Sequence, residues 1–74
     1  MYNKVKYYRE IMGYSQEELA NMLEIRRETI LRIENGINYP SVFLALRLAE
    51  IFDINVNYLF WLSNDELPKK VVQQ

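Results

Sequence analysis

The chain of 74 residues contains neither cysteine nor histidine. Without cysteine it has no disulfide framework and no thiolate nucleophile, and without histidine it lacks the usual general base and the commonest metal ligand. These absences exclude most zinc sites. No pair of carboxylates falls in an apolar stretch that would separate their pKa values for acid–base catalysis. The sequence therefore predicts a protein that is not an enzyme and that binds no metal or cofactor.

Glycine and long apolar runs are also scarce. The only two glycines, Gly13 and Gly36, cannot form a phosphate-cradling loop. No apolar run approaches the ~20 residues that a membrane-spanning helix needs, and the first stretch, "MYNKVKYYRE", lacks the apolar segment of a secretory signal. We therefore expect a cytoplasmic protein that does not contact a membrane, and nothing in the sequence indicates a small-molecule ligand.

The composition is that of one small folded domain. Half of the residues are apolar and 26% are charged, whereas disordered chains combine low hydrophobicity with high charge. A chain of this length can bury one modest core. We assign residues 1–62 to the domain and residues 63–74, "SNDELPKKVVQQ", to a polar C-terminal tail. The tail could be disordered, or Val71 and Val72 could start a dimerisation strand.

Apolar periodicity predicts an all-α domain with five helices and no strand in the first 62 residues. The first helix covers "YNKVKYYREIM", the second runs from Gln16 to Leu23, and the fifth runs from Val56 to Leu62. The third is short and places Ile30 and Ile33 on its apolar stripe. The capping signals that set these starts are Ser15 with Glu18 for the second helix, Pro40 with Ser41 for the fourth, and Asn55 for the fifth.

The fifth helix ends in "YLFWL", a run of large apolar residues that one small core cannot bury entirely. We expect Leu59 and Leu62 to face the core. Tyr58, Phe60 and Trp61 would then form an exposed aromatic patch of the kind found in protein interfaces, and we interpret it as a homodimer interface. The alternative is that these aromatic residues complete the core.

Only three residues, "EIR", join the second helix to the third. Helices joined so tightly cross at a steep angle, which pushes the second of the pair outward. With Ile30 and Ile33 on the core, the outer side of the third helix presents residues 28, 31, 32 and 35. A helix about 10 to 12 Å across fits the major groove of B-DNA.

Four residues near the start of the third helix are candidate base contacts: Arg27, Glu28, Leu31 and Arg32. Arginine can donate two hydrogen bonds to guanine, glutamate can accept one from cytosine N4, and leucine can pack on a thymine methyl group. Two simpler explanations stay open. Glu28 and Arg32 could form an ordinary surface ion pair at i, i+4, and Leu31 could be a single exposed apolar residue without a role.

The run "SQEELANMLEIRRETILRIENG", followed by "YPSVFLALRLAEIFDINVNYLF", resembles the phage-repressor-like helix-turn-helix regulators of the Cro and xenobiotic-response-element type. The resemblance covers about residues 3–61. It implies a compact five-helix domain whose second and third helices form the helix-turn-helix, and a double-stranded DNA operator as partner. It also implies that Gln16, Arg26 and Asn35 contact DNA phosphates.

A charged pair is expected between the first and third helices. Arg9 falls on the apolar side of the first helix, and Glu34 falls toward the apolar flank of the third. Because neither charge would be stable in the core alone, we expect them to pair and to tie the two helices together. A pair of this kind is also found in the family that the chain resembles.

The chain departs from that family's pattern in three places. Glu24 stands where a glycine or asparagine is usual, which costs roughly 1 kcal/mol if the backbone there is left-handed. Arg26 replaces the usual serine or threonine N-cap of the third helix. The three residues just after Gly36, at positions 37–39, are not basic, and the net charge is −1, which weakens attraction to DNA.

The function favoured by these patterns is that of a sequence-specific transcriptional regulator, a homodimeric repressor that places the third helix in the major groove of a palindromic operator. The alternative is a protein-interaction module, such as an antitoxin or adaptor, that uses the aromatic C-terminal surface. The acidic balance favours the alternative, and the cluster of arginines from Arg26 to Arg32 favours DNA.

Overall fold

Five helices and a pair of two-residue strands make up residues 2–62, the part of the chain that this computed structural model describes. The predictions for the tail, residues 63–74, lie outside the described residues. In chain order the elements are β1 (Tyr2–Asn3), α1 (Val5–Ile11), α2 (Gln16–Leu23), α3 (Arg27–Glu34), α4 (Val42–Phe52), α5 (Val56–Leu59) and β2 (Phe60–Trp61).

The strand pair corrects the prediction of a purely helical domain. β1 and β2 pair antiparallel, with Tyr2 opposite Trp61 and Asn3 opposite Phe60, and the rings of Tyr2 and Trp61 stack with centroids 6.3 Å apart. Aromatic residues favour strands because they pack well on a neighbouring strand. As a result α5 ends at Leu59, and Leu62, which was predicted to face the core, is 63% exposed.

The side chain of Asn3 joins the strand pair to the helices. Its Oδ1 accepts a hydrogen bond from the backbone N–H of Val5 at 3.0 Å, and its Nδ2 donates to the carbonyl oxygen of Ile33 at 2.8 Å. The first bond stabilises the start of α1, and the second connects β1 to the last turn of α3. The strand pair therefore helps to hold α3 in place.

One apolar core lies between the helices. The ring of Tyr8 on α1 stacks on that of Phe52 on α4, with centroids 5.9 Å apart. The positions predicted for the third helix are confirmed, since its isoleucines are both buried. The buried apolar residues are Val5, Leu19, Ala20, Ile30, Ile33, Leu48, Ala49, Phe52 and Leu59.

The helix starts follow the predicted capping signals. The Ser15 hydroxyl accepts from the Glu18 N–H at 2.9 Å while the Glu18 carboxylate accepts from the Ser15 N–H at 2.8 Å, so the capping box is complete. The side chains of Ser41 and Asn55 cap α4 and α5. Glu24, which ends α2, has φ 59° and ψ 42°. The backbone at Glu24 is therefore left-handed, and the cost of about 1 kcal/mol for a residue with a Cβ applies.

Candidate nucleic-acid interface

The outer face of α3 is open to solvent. α2 and α3 pack against each other, and Ile30 and Ile33 fix the inner face of α3 on the core. The remaining face therefore points away from the core along the whole helix. All four residues predicted as base contacts are exposed on it: Arg27, Glu28, Leu31 and Arg32.

A buried ion pair fixes the last turn of α3 to α1. Arg9 donates to both carboxylate oxygens of Glu34, from Nε at 2.5 Å and from Nη2 at 3.2 Å, and the two side chains are only 10% and 2% exposed. The pairing predicted from the sequence is confirmed. The hydrogen bond to Glu34 raises the pKa of Arg9 above its ordinary value, although burial acts against it. Arg9 also donates to the carbonyl oxygen of Tyr14 at 3.0 Å.

Gln16 extends this pair to the start of α3. Its Nε2 donates to Glu34 at 3.0 Å, and its Oε1 accepts from Arg27 Nη1 at 2.7 Å. A chain of hydrogen bonds thus runs from Arg9 in the core, through Glu34 and Gln16, to the exposed guanidinium of Arg27. One hydrogen of the Gln16 amide takes no part in these bonds and stays available to another acceptor. No pattern in the sequence indicates the contact between residues 16 and 27.

The charges of Glu28 and Arg32 are not paired with each other. Within residues 2–62 the ion pairs are Arg9 with Glu34 and, on the surface of α4, Arg47 with Glu50. The surface ion pair considered for Glu28 and Arg32 is therefore not formed. No charged residue in the described part of the chain occupies either side chain, so both can contact a ligand on the outer face of α3.

Arg26 precedes α3 in the N-cap position, with φ −81° and ψ 149°, and its side chain makes no capping hydrogen bond. The first amides of α3 consequently lack the side-chain acceptor that serine supplies to α2. At the other end of the helix, Asn35 is exposed and ends α3. The predicted phosphate contacts Gln16, Arg26 and Asn35 thus flank the outer face at both ends of α3.

The domain model described as helix-turn-helix matches residues 5–59, which include all five helices. A relative from Methanocaldococcus jannaschii, an HTH-type transcriptional regulator, is 41% identical over 66 residues, which are 89% of this chain and all of that protein. The chain belongs to the phage-repressor-like helix-turn-helix family. The HTH-type transcriptional regulator YgzD of Bacillus subtilis is 40% identical over 65 residues, 88% of this chain and 98% of that protein.

Other relatives of this helix-turn-helix protein are much longer. A putative HTH-type transcriptional regulatory protein of Pyrococcus furiosus is 44% identical over 50 residues, which are 68% of this chain but 16% of that protein. In the helix-turn-helix protein itself, no helix within residues 2–62 is long and apolar enough to cross a membrane.

The aromatic patch predicted at the C-terminal end of this helix-turn-helix domain is divided in the structure. Tyr58 on α5 is 69% exposed, whereas Phe60 and Trp61 lie in β2 and are half-buried. The prediction that all of them lie on one exposed helix is wrong, because the chain turns into a strand after Leu59 and pairs with β1.

A second exposed apolar surface was not predicted. It follows α3 along the chain and includes the first turns of α4, where Phe43 is 73% exposed. The helical period of α4 could not show that this side of the helix would stay uncovered. The large apolar residues exposed in this segment are Ile37, Tyr39, Val42, Phe43 and Leu46.

Proposed function

We propose that this helix-turn-helix protein is a sequence-specific DNA-binding regulator that represses transcription as a homodimer, with α2 and α3 as the helix-turn-helix and α3 in the major groove of a palindromic operator. The single observation that supports this most is the exposed face of α3, on which Arg27 and Arg32 have no carboxylate partner within residues 2–62. An arginine can donate two hydrogen bonds to guanine O6 and N7.

The hydrogen-bond chain through Gln16 supports a reading role for Arg27. A side chain that is already held in place loses less conformational entropy on binding, so its contacts contribute more to affinity. The free hydrogen of the Gln16 amide would then donate to a phosphate, together with Arg26 and the side chain of Asn35. Arg32 and Leu31, one turn further along α3, would contact the next bases.

A homodimer compensates for the small number of phosphate contacts. Two copies related by a two-fold axis place their α3 helices in successive major grooves about 34 Å apart. The second copy then binds at a high effective concentration. The proposed dimer interface consists of Tyr58 and, close to it in the chain, the half-buried Phe60 and Trp61. Residues 1–62 form the DNA-binding domain.

The proposal is tested by selecting binding sites from a random duplex library and measuring affinity for the selected site over a salt series. We expect a palindrome with half-sites about 10 base pairs apart, two chains per duplex, and a logarithm of the binding constant that falls linearly with the logarithm of salt concentration. A folded protein that binds no duplex at low salt would contradict DNA binding. One chain per selected duplex would contradict the homodimer but not DNA binding.

Replacing Arg26 by serine is expected to change folding and DNA binding in opposite directions. Serine supplies the missing N-cap acceptor of α3, so the free energy of unfolding should rise by about 1 kcal/mol. Loss of a phosphate contact should weaken binding to all sequences alike and reduce the salt slope by about one. Thermal unfolding and fluorescence anisotropy measure the two effects.

Arg26→Ala is the matched control for this substitution. It removes the same charge without supplying a cap, so it should lose the same DNA affinity and gain no stability. If the Arg26→Ser and Arg26→Ala variants are equally stable, the capping argument is wrong. If both variants bind DNA as tightly as the wild type, Arg26 is not a phosphate contact.

The exposed apolar surface around Phe43 favours a second candidate function, that of a protein-interaction module such as an antitoxin or adaptor. Contiguous exposed apolar residues commonly mark protein interfaces. The net charge of −1 and the absence of a basic residue at positions 37–39, just after Gly36, also favour it. The same binding experiment separates the two functions, because a protein-interaction module would bind no duplex even at low salt.

A further inference from the structure

Glu28 is an acidic residue on the face of α3 that is otherwise suited to DNA. It lies in the first turn of α3, it is exposed, and it makes no ion pair or side-chain hydrogen bond with any residue from 2 to 62. Two arginines, Arg26 and Arg27, precede it directly in the chain. In a complex with α3 in the major groove, phosphates would repel this carboxylate. Glu28 therefore lowers affinity unless it finds a hydrogen-bond donor there.

We propose that Glu28 determines sequence specificity by accepting a hydrogen bond from cytosine N4, an inference that rests on the proposed function. An ionised carboxylate only accepts hydrogen bonds. In the major groove guanine presents two acceptors, thymine presents an acceptor and a methyl group, and adenine presents a donor beside an acceptor. Cytosine alone presents a donor without a neighbouring acceptor on the same base. Glu28 thus rejects three bases by repulsion or by poor pairing.

Arg32 can donate to a guanine close to the cytosine that Glu28 contacts. Residues four apart on a helix lie about 5 to 6 Å from each other at their Cβ atoms, yet Arg32 and Glu28 do not pair in the free protein. Both charges therefore remain available to one short stretch of DNA. A guanine for Arg32 and a cytosine for Glu28, in the same or adjacent base pairs, would satisfy both. We expect a half-site with cytosine at the position nearest the start of α3.

The Glu28 carboxylate discriminates between bases but lowers the overall affinity for DNA. Each wrong base at a contacted position typically weakens binding roughly fivefold to 150-fold, and here the repulsion from acceptor atoms adds to the lost hydrogen bond. The same negative charge weakens binding to every unrelated sequence. Removing the charge while keeping the shape should consequently raise non-specific affinity and change the preferred base.

Glu28→Gln tests this inference because glutamine keeps the size of the side chain but adds donors. Glutamine pairs with adenine N6 and N7, so site selection should give cytosine for the wild type and adenine for the variant at one position, with the other positions unchanged. Glu10→Gln on α1 is the control: it makes the same change of charge at another exposed site, and the selected base should stay cytosine.

The outcomes separate this inference from the proposed function. A wild-type protein that binds no duplex overturns both. If the wild type selects a defined operator and Glu28→Gln selects the same operator with the same preference at every position, the inference about Glu28 is wrong and the DNA-binding function stands. A switch from cytosine to adenine at a single half-site position, with higher affinity of the variant for unrelated duplexes, supports it.

Discussion

Replacing Arg9 by methionine is expected to lower the free energy of unfolding by about 3 to 5 kcal/mol. Methionine fills much of the space of the arginine stem, but it leaves the carboxylate of Glu34, whose side chain is 2% exposed, without its cationic partner. The carbonyl oxygen of Tyr14 also loses its donor. Because a small domain has a total stability of about 5 to 15 kcal/mol, this single change removes a large part of it.

Thermal unfolding measures this effect, and a surface pair offers the control. Arg47→Met breaks the pair with Glu50, in which both side chains are well exposed, and it should cost at most about 1 kcal/mol. The double variant Arg9→Met, Glu34→Met removes both buried charges and should recover much of the lost stability. A melting temperature unchanged by Arg9→Met would show that the pair does not stabilise the fold.

Replacing Arg27 and Arg32 together by alanine is expected to weaken operator binding by about 100-fold or more, since each base-contacting arginine contributes about 1 to 3 kcal/mol. Both side chains are exposed, so the melting temperature should change little. The loss should be larger for the operator than for unrelated sequences, because base contacts supply the difference between the two affinities.

A second double variant separates this local effect from a general loss of positive charge. Lys6→Ala with Arg47→Ala makes the same change in net charge on α1 and α4, outside the outer face of α3. Fluorescence anisotropy over a salt series should show a modest loss for this pair and retained preference for the operator. Equal losses in the two double variants would contradict α3 as the reading element.

The features that could be predicted from the sequence depend on neighbours in the chain. The capping box needs only Ser15 and Glu18, and helical periodicity identifies which side of α3 faces the core. The pair of Arg9 with Glu34, although long-range, could be predicted because a charge on an apolar helix face needs a partner. Each of these features follows from where a residue falls within its own helix.

The features that could not be predicted depend on contacts between distant segments. Strands of two residues are too short to show a period, so nothing near Tyr2 or Trp61 indicates that they lie opposite each other. The hydrogen bond from Arg27 to Gln16 depends on the rotamers of two flexible side chains, which the sequence does not specify. The α4 surface around Phe43 stays exposed because no segment within residues 2–62 covers it.

The antiparallel pairing of β1 with β2 has a consequence for how this domain combines with other proteins. Since Tyr2 lies opposite Trp61, the two ends of the segment from residue 2 to residue 61 lie about 5 Å apart. A unit with such adjacent connections can be grafted into a surface turn of a host protein without stretching the host or the graft. The same geometry should permit circular permutation of the segment from residue 2 to residue 61, in which a short linker joins Trp61 to Tyr2 and new ends open in another loop.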